Sequence, residues 1–220
     1  FSNQMKPNSI AFFNSNDIYP VSSDSTLPFA QHRDIFYLSG IDQEETVLFL
    51  FPDCADEKHR EILFVRETNA QIAIWEGAKL TKEAATKISG IETVYWLADL
   101  HRVLDELMKQ CEKVYINTNE HPRARVLTET REDRFIKRMF EKYPKHKVEK
   151  SNPSLQQLRS LKELEEIELI QKACNITEKG FRRVLDFVKP GVWEYEIEAE
   201  WIHEFIRNRS KGFAYTPIVA

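Results

Sequence analysis

Glycine is scarce in this 220-residue chain, with only six residues, and none of them builds a Gly-rich phosphate loop. Neither H-E-x-x-H nor G-x-S-x-G occurs, so those peptidase and hydrolase signatures are excluded. Cysteine is equally sparse. Cys54, Cys111 and Cys174 are odd in number and widely spaced, with no C-x-x-C pair. That excludes a zinc knuckle and a thioredoxin-type centre, and leaves buried or half-buried reduced thiols, as in a cytosolic protein. No apolar run approaches the roughly 18–20 residues of a membrane span, so a soluble chain is expected. The opening residues, Phe1 to Lys6, lack the apolar region of a signal peptide. They also lack an initiator Met, so the natural N-terminus is expected to lie upstream. A net charge of −4 with both signs interspersed gives no basic field, so nucleic acid is not the expected partner.

What is present is the composition of a folded α/β protein: 42% hydrophobic and 30% charged residues. Ser9 to Phe13 is a short apolar run closed by a polar Asn/Ser/Asp cluster, and reads as a buried strand. Ile35–Leu38 and Thr46–Phe51 read as two further strands, neighbours and antiparallel, with Glu61–Val65 as the next. The period then changes. Thr81 caps a short helix, Thr93–Trp96 is a strand, and Ala98–Gln110 is an amphipathic helix carried by Leu100, Val103, Leu104, Leu107 and Met108. Val114–Ile116 is a strand, and Phe135, Ile136, Met139 and Phe140 mark a helix ending before Pro144. Strands alternating with helices predict a mixed sheet covered by crossover helices, closing near residue 150. Ser151–Ser154 reads as a linker.

The remaining residues, Arg159 to Ala220, predict a long helix, a break at Lys189-Pro190-Gly191 and a second helix. Ile167, Ile170, Cys174, Phe181, Val184 and Val188 share one face of the first. Tyr195, Ala199, Ile202 and Ile206 form the stripe of the second, widened by Trp201 and Phe205. Gly212 to Ala220 has the character of a strand entering a core, and the chain stops in mid-entry. Without the sheet it would join, that tail is expected to fray or to pack against another copy.

Residue types alone offer little chemistry. The histidines at 32, 59, 101, 121, 146 and 203 lie far apart. His203 and Glu204 are adjacent on a helix and point about 100° apart, so they would not face one metal; a solvated surface histidine is expected. Glu163, Glu165 and Glu166 suit the first turn of a helix. Arg123, Arg125, Arg131, Arg134, Lys137 and Arg138 are interleaved with Glu129, Glu132 and Asp133, which makes a mixed solvated face. Two features stand out. Ile74-Trp75-Glu76-Gly77 places a tryptophan in a predicted loop, as a packing residue or as a contact surface. Phe205, Phe213 and Tyr215 form an aromatic group that is either core or pocket lining.

Several stretches together resemble a known family. Phe29 to Gly40, with Gln31 and Phe36-Tyr37-Leu38-Ser39-Gly40, resembles the F-Y-L-T-G segment of aminopeptidase P N-terminal domains. Trp75-Glu76-Gly77 with Leu80 resembles their W-x-G-x-x-L loop. Leu158-Arg159, Lys162, Glu166-Ile167 and Ala173 resemble the entry to the pita-bread peptidase domain, and Pro190-Gly191, Glu204-Phe205 and Tyr215 to Ala220 continue it in order. The family usually carries a small hydroxyl residue where Trp193 stands; a weaker helix cap is expected, of order 1 kcal/mol, offset by burial of the indole.

The resemblance implies a creatinase-like mixed-sheet α/β domain with flanking helices over residues 1–150, and the opening helices of an incomplete pita-bread α+β domain over 151–220. It implies a parent that is a cytoplasmic Xaa-Pro aminopeptidase, a metallopeptidase and hydrolase acting on peptides with proline at the second position. Two divalent metal ions, commonly manganese, would be held by two Asp, one His and two Glu, all beyond Ala220. This chain alone is therefore expected to hold no metal, to supply no catalytic residue and to be inactive. Phe205 and Tyr215 would line the pocket for the N-terminal residue, with the Tyr215 hydroxyl reaching toward the metal centre. Trp75 would reach a neighbouring subunit's active site in a homo-oligomer, a dimer or tetramer, with no nucleic-acid or membrane partner. Prolidase and a metal-free pita-bread module that binds peptides or proteins are the alternatives.

Overall fold

Strand β1 (Ser9–Asn14) is buried along its whole length and lies at the middle of a six-stranded sheet. The computed structural model describes residues 1–118, 127–215 and 217–219. His121, Arg123, Arg125, Thr216 and Ala220 therefore lie outside the described residues. The sheet order is β6-β5-β4-β1-β7-β8, with β4 (Val47–Leu50), β5 (Glu61–Val65), β6 (Thr93–Trp96), β7 (Lys113–Ile116) and β8 (Lys147–Lys150). β4 runs antiparallel to both β1 and β5, whereas β6 joins β5, β7 joins β1 and β8 joins β7 in parallel. A short hairpin of β2 (Pro20–Ser22) and β3 (Ser25–Thr26) stands apart from the sheet.

Side chains alternate across the sheet as the pleat dictates, so its two faces build two cores. Ile10, Phe12, Val47, Phe49, Ile62 and Phe64 face helix α4 (Leu100–Leu107), which contributes the predicted apolar stripe, and α5 (Arg131–Lys142), which contributes Met139. Phe49 is the hub on that side, edge-on to Phe12 at 4.7 Å and to Phe64 at 4.8 Å. Such aromatic pairs add about 0.5–1.5 kcal/mol each beyond their burial. Ala11, Phe13, Leu48, Leu63 and Val65 face the opposite layer, with Ile35 of α1 (Arg33–Ser39), Ala85 of α3 (Lys82–Ser89) and Leu155 of α6 (Asn152–Ser160). As expected, the Thr81 side chain accepts the Ala84 N–H at the start of α3.

Two local expectations are corrected in this unit, and one strand was not expected. Ile35 to Leu38 is helix α1, not a strand, and β4 pairs with β1 and β5 instead. Both helix ends are stopped: the His32 ring accepts the Asp34 N–H, and Gly40 takes φ 70 while its N–H reaches the Phe36 carbonyl. Ile35 and Ser39 then share the buried face at i, i+4 spacing, and the β-favouring Phe36 and Tyr37 point outward. β8 has no apolar signature; its residues are Lys-Val-Glu-Lys, and its pairing to β7 makes it a strand. Ser151 to Ser154 is not a linker, because Ser151 is buried and α6 starts at Asn152 with Leu155 in the core.

The chain divides into two compact units, Phe1–Leu158 and Arg159–Ala220. The second is a helix pair, α7 (Leu164–Phe187) and α8 (Glu194–Arg207), separated at Lys189-Pro190-Gly191. The acidic first turn of α7 behaves as expected, with the Glu166 carboxylate accepting the Glu163 N–H. The seam between the helices is Gly180 and Phe181 against Trp201 and Phe205. The stripe expected for α8 is therefore displaced: Tyr195, Ile202 and Ile206 are exposed and Phe205 is buried. Ile167, Ile170 and Phe181 are exposed on α7, as are Cys174 and, just past its end, Val188, because a 14-residue helix covers little of a 24-residue one. Trp193 is 64% exposed and stacks on Tyr195, so the expected burial of its indole does not occur. The Trp193 backbone N–H is instead held by the Glu196 carboxylate at 2.8 Å. The described part of the tail forms no strand, since the pairing that stabilises a strand has no partner among the described residues.

Candidate functional site

Trp75 lies in helix α2 (Ala70–Glu76), not in a loop, and is 83% exposed beside an exposed Ile74. The helix forms because the Asn69 side chain accepts the Gln71 and Ile72 N–H groups at 3.0 and 2.9 Å. A tryptophan so exposed contributes nothing to the core of its unit. Of the two readings of Trp75, packing residue or contact surface, its exposure rules out the first within this unit.

An ionic network fixes this helix to the sheet. Arg66, just after β5, forms a bidentate pair with Glu76 at 2.6 and 3.0 Å and also reaches Glu44 and Glu45. Lys79 closes on Glu44 at 2.5 Å, and only 8% of the Glu44 side chain is exposed. Burial pushes the Glu44 carboxyl up, but the Lys79 hydrogen bond, a backbone bond and the Lys79 and Arg66 charges outweigh it and hold the group below its ordinary value. The Glu76 carboxyl is lowered chiefly by its bond to Arg66.

The same region gathers the Phe29–Gly40 segment. Gln31 Nε2 donates to the Ile41 and Gln43 carbonyls at 3.1 and 2.8 Å, and Gln43 Oε1 accepts the Leu80 N–H at 2.7 Å. Two stretches that stand out separately in the sequence are thus one platform that presents Trp75. Glu44, Arg66 and Lys79 escape sequence reasoning because their separations follow no helical or strand period. The adjacent pair Glu44-Glu45, ahead of a buried strand, is the one visible hint.

The second unit carries the other expected site residues. Phe205 is 8% exposed, edge-on to Trp201 at 5.4 Å and 5.0 Å from the Phe213 ring. Tyr215 is 81% exposed, so the predicted aromatic group is assembled in part: Phe205 and Phe213 meet, and Tyr215 stands clear. His203 is on the exposed side of α8, as expected. Among the described residues no group of three or more His, Cys, Asp or Glu side chains could hold a metal ion, and no helix is long and apolar enough to cross a membrane.

Residues 1–115 match the family model described as aminopeptidase P, N-terminal domain. The chain belongs to that family. Residues 168–220 match a second model, metallopeptidase family M24. Among curated proteins, the chain is 28% identical over 219 residues to the Xaa-Pro aminopeptidase of Escherichia coli, covering 98% of this chain and 49% of the relative. It is 27% identical to that of Haemophilus influenzae, covering 99% and 48%. The aminopeptidase P N-terminal fold is confirmed by solved structures. Aminopeptidase P from E. coli superposes with a TM-score of 0.77 at 27% identity, covering 94% of this chain and 47% of that one. Pseudomonas aeruginosa aminopeptidase PepP gives 0.82 at 25%, covering 100% and 49%. The chain spans about half the length of the curated relatives it matches.

Proposed function

We propose that these residues are the N-terminal portion of a metal-dependent Xaa-Pro aminopeptidase, which hydrolyses the bond between an N-terminal residue and a following proline. The observation that carries this reading is the colinear match: an aminopeptidase P N-terminal domain followed by the M24 metallopeptidase model, in relatives that bear the Xaa-Pro aminopeptidase name. The described residues do not fit the metal pair, so no step of the reaction is assigned to them. In the parent, divalent ions, manganese in our reading, would supply a water-derived nucleophile at neutral pH.

What this chain contributes is access and assembly. The Trp75 platform would reach a neighbouring subunit's active site in a cytoplasmic homo-oligomer. Phe205 would wall the pocket for the N-terminal residue, and the exposed Tyr215 would turn its hydroxyl toward the metal centre. The support for these roles is the exposure of Trp75 on a braced helix and the burial of Phe205 beside Phe213.

The test is manganese-dependent release of the first residue from an Xaa-Pro-Xaa peptide, by this chain and by one extended through about two hundred further residues, a second domain's length. Activity in the extended chain alone supports the proposal. Activity in neither rejects it in favour of a binding module, and cleavage restricted to Xaa-Pro dipeptides rejects it in favour of prolidase. Trp75→Ala, Phe205→Ala and Tyr215→Phe, made in an active extended chain, test the individual roles; undiminished activity removes each.

A further inference from the structure

Residues 131, 134, 135 and 138 stand at i, i+3, i+4 and i+7 on α5, the spacing that places side chains on one helical face. They are Arg131, Arg134, Phe135 and Arg138. This face looks into a cleft of about 310 Å³ that is also lined by Leu97, just before α4, and by Leu100 and His101 at its start. No carboxylate lines the cleft among the described residues. Its cations are also unequally occupied. Arg134 is taken up by Asp17 at 2.6 Å and by the Glu129 carbonyl. Neither Arg131 nor Arg138 has an ion-pair or hydrogen-bond partner among the described residues.

Arg131 is half-buried, and burial pushes its guanidinium pKa down; the Arg134 charge adds to this, and the charges of Glu45, Asp17 and Glu132 oppose it. A guanidinium partly removed from water without a bonded carboxylate is costly, and an anion in the cleft would relieve that cost. The floor beneath the charges is apolar: Val47, Leu97, Leu100 and Phe135.

We propose that this cleft binds a small organic anion, with its charged head between Arg131 and Arg138 and a short apolar tail on Leu100 and Phe135. The head is a carboxylate or a phosphate monoester, since both match the forked guanidinium geometry. His101 lines the same cleft. The inference is independent of the peptidase reading, because the cleft lies wholly within the first unit and uses none of the residues assigned to peptide binding.

The test is an NMR titration of this chain with benzoate, phenyl phosphate and inorganic phosphate. Saturable shifts of the Leu97–His101 and Arg131–Arg138 amides with benzoate or phenyl phosphate are expected; whichever binds more tightly identifies the head. Arg138→Gln, an exposed substitution that leaves the fold intact, should weaken binding about tenfold, the loss of one charge-assisted contact. Lys137→Gln, one residue off the face, should leave binding unchanged. Three results would each overturn the proposal: no saturable shifts with either aromatic anion, equal binding of inorganic phosphate and phenyl phosphate, or equal losses in the Arg138 and Lys137 variants.

Discussion

Gly180 of α7 lies directly beneath the indole of Trp201: a Cβ built at Gly180 would stand 2.5 Å from Trp201 Cε3 and closer still to Cζ3. The ring cannot simply swing away, because Phe181 holds it edge-on at 4.5 Å and Phe205 at 5.4 Å. Glycine here serves close approach, since its φ is not positive. Gly180→Ala gains up to about 1 kcal/mol of helix propensity. It loses about 1–3 kcal/mol to overpacking. We expect the loss to win, seen as faster amide exchange along α7 and α8. Protection equal to or greater than that of the parent chain would show that the seam can open without cost.

Where apolar periodicity was strong, the sequence was a good guide to structure. The continuous apolar runs of β1, β4 and β5 and the helical stripe of α4 needed no tertiary information, because burial on both faces of a strand or on one face of a helix writes those patterns. The errors fall where another force decides. Ile35–Leu38 has strand-favouring side chains, yet capping by His32 and Gly40 makes it helical. The strand β8 exists through its ladder to β7 and leaves no trace in Lys147–Lys150. The chemistry was less legible than the fold. Trp75 stood out as an aromatic, but the Arg66–Glu76 and Lys79–Glu44 pairs that brace it join residues distant in sequence. Tyr215 and Phe205 are near in sequence, yet one is exposed and the other buried.

The brace under Trp75 is expected to fail unevenly. Arg66→Ala removes a bidentate pair whose Glu76 partner faces solvent, so its cost should stay below about 1 kcal/mol, with exchange quickening only in α2. Lys79→Met strands the enclosed Glu44 carboxylate with Arg66 alone, and about 1–3 kcal/mol should be lost. Because the Glu44 carboxyl is held below its ordinary value, its contribution is present above that value and disappears as pH falls through the lowered one. Urea unfolding at neutral pH compares the two variants. An Arg66→Ala variant less stable than Lys79→Met would contradict the assignment of Glu44 as the buried member.

Glu132 should tilt stability the other way. Burial pushes its carboxyl up to about 7, against hydrogen bonds from the Asn14 side chain and backbone and from the Asn117 backbone, with Asp133 adding to the rise. Oε2 is held by Asn14, whereas Oε1 has no partner among the described residues. Between the ordinary value of 4.5 and about 7 the folded state holds a proton that the unfolded state releases. Stability therefore falls as pH rises through that window, by an amount on the order of 3 kcal/mol. Glu132→Gln keeps the shape without the ionisation and should flatten this slope. Unfolding free energies measured from pH 5 to pH 8 decide it; parallel profiles for the two proteins would place the tilt elsewhere.

The three thiols should divide sharply by reactivity. Cys111 lies in the first core, and burial pushes its thiol up to about 12. Cys54 is enclosed in the same core and is also raised, again chiefly by burial. Reaction requires thiolate and access, and these two have little of either. Cys174 is exposed on α7. A maleimide at neutral pH should therefore label one thiol quickly in the folded chain and all three in denaturant, with Cys174→Ser abolishing the fast phase. Slow labelling of the other two reports opening of the sheet core, so it should quicken in a Phe49→Leu variant, which opens a cavity at the hub of Phe12, Phe49 and Phe64. A fast phase of two or three thiols in the intact chain would mean that the layer between β1 and α4 is not closed in solution.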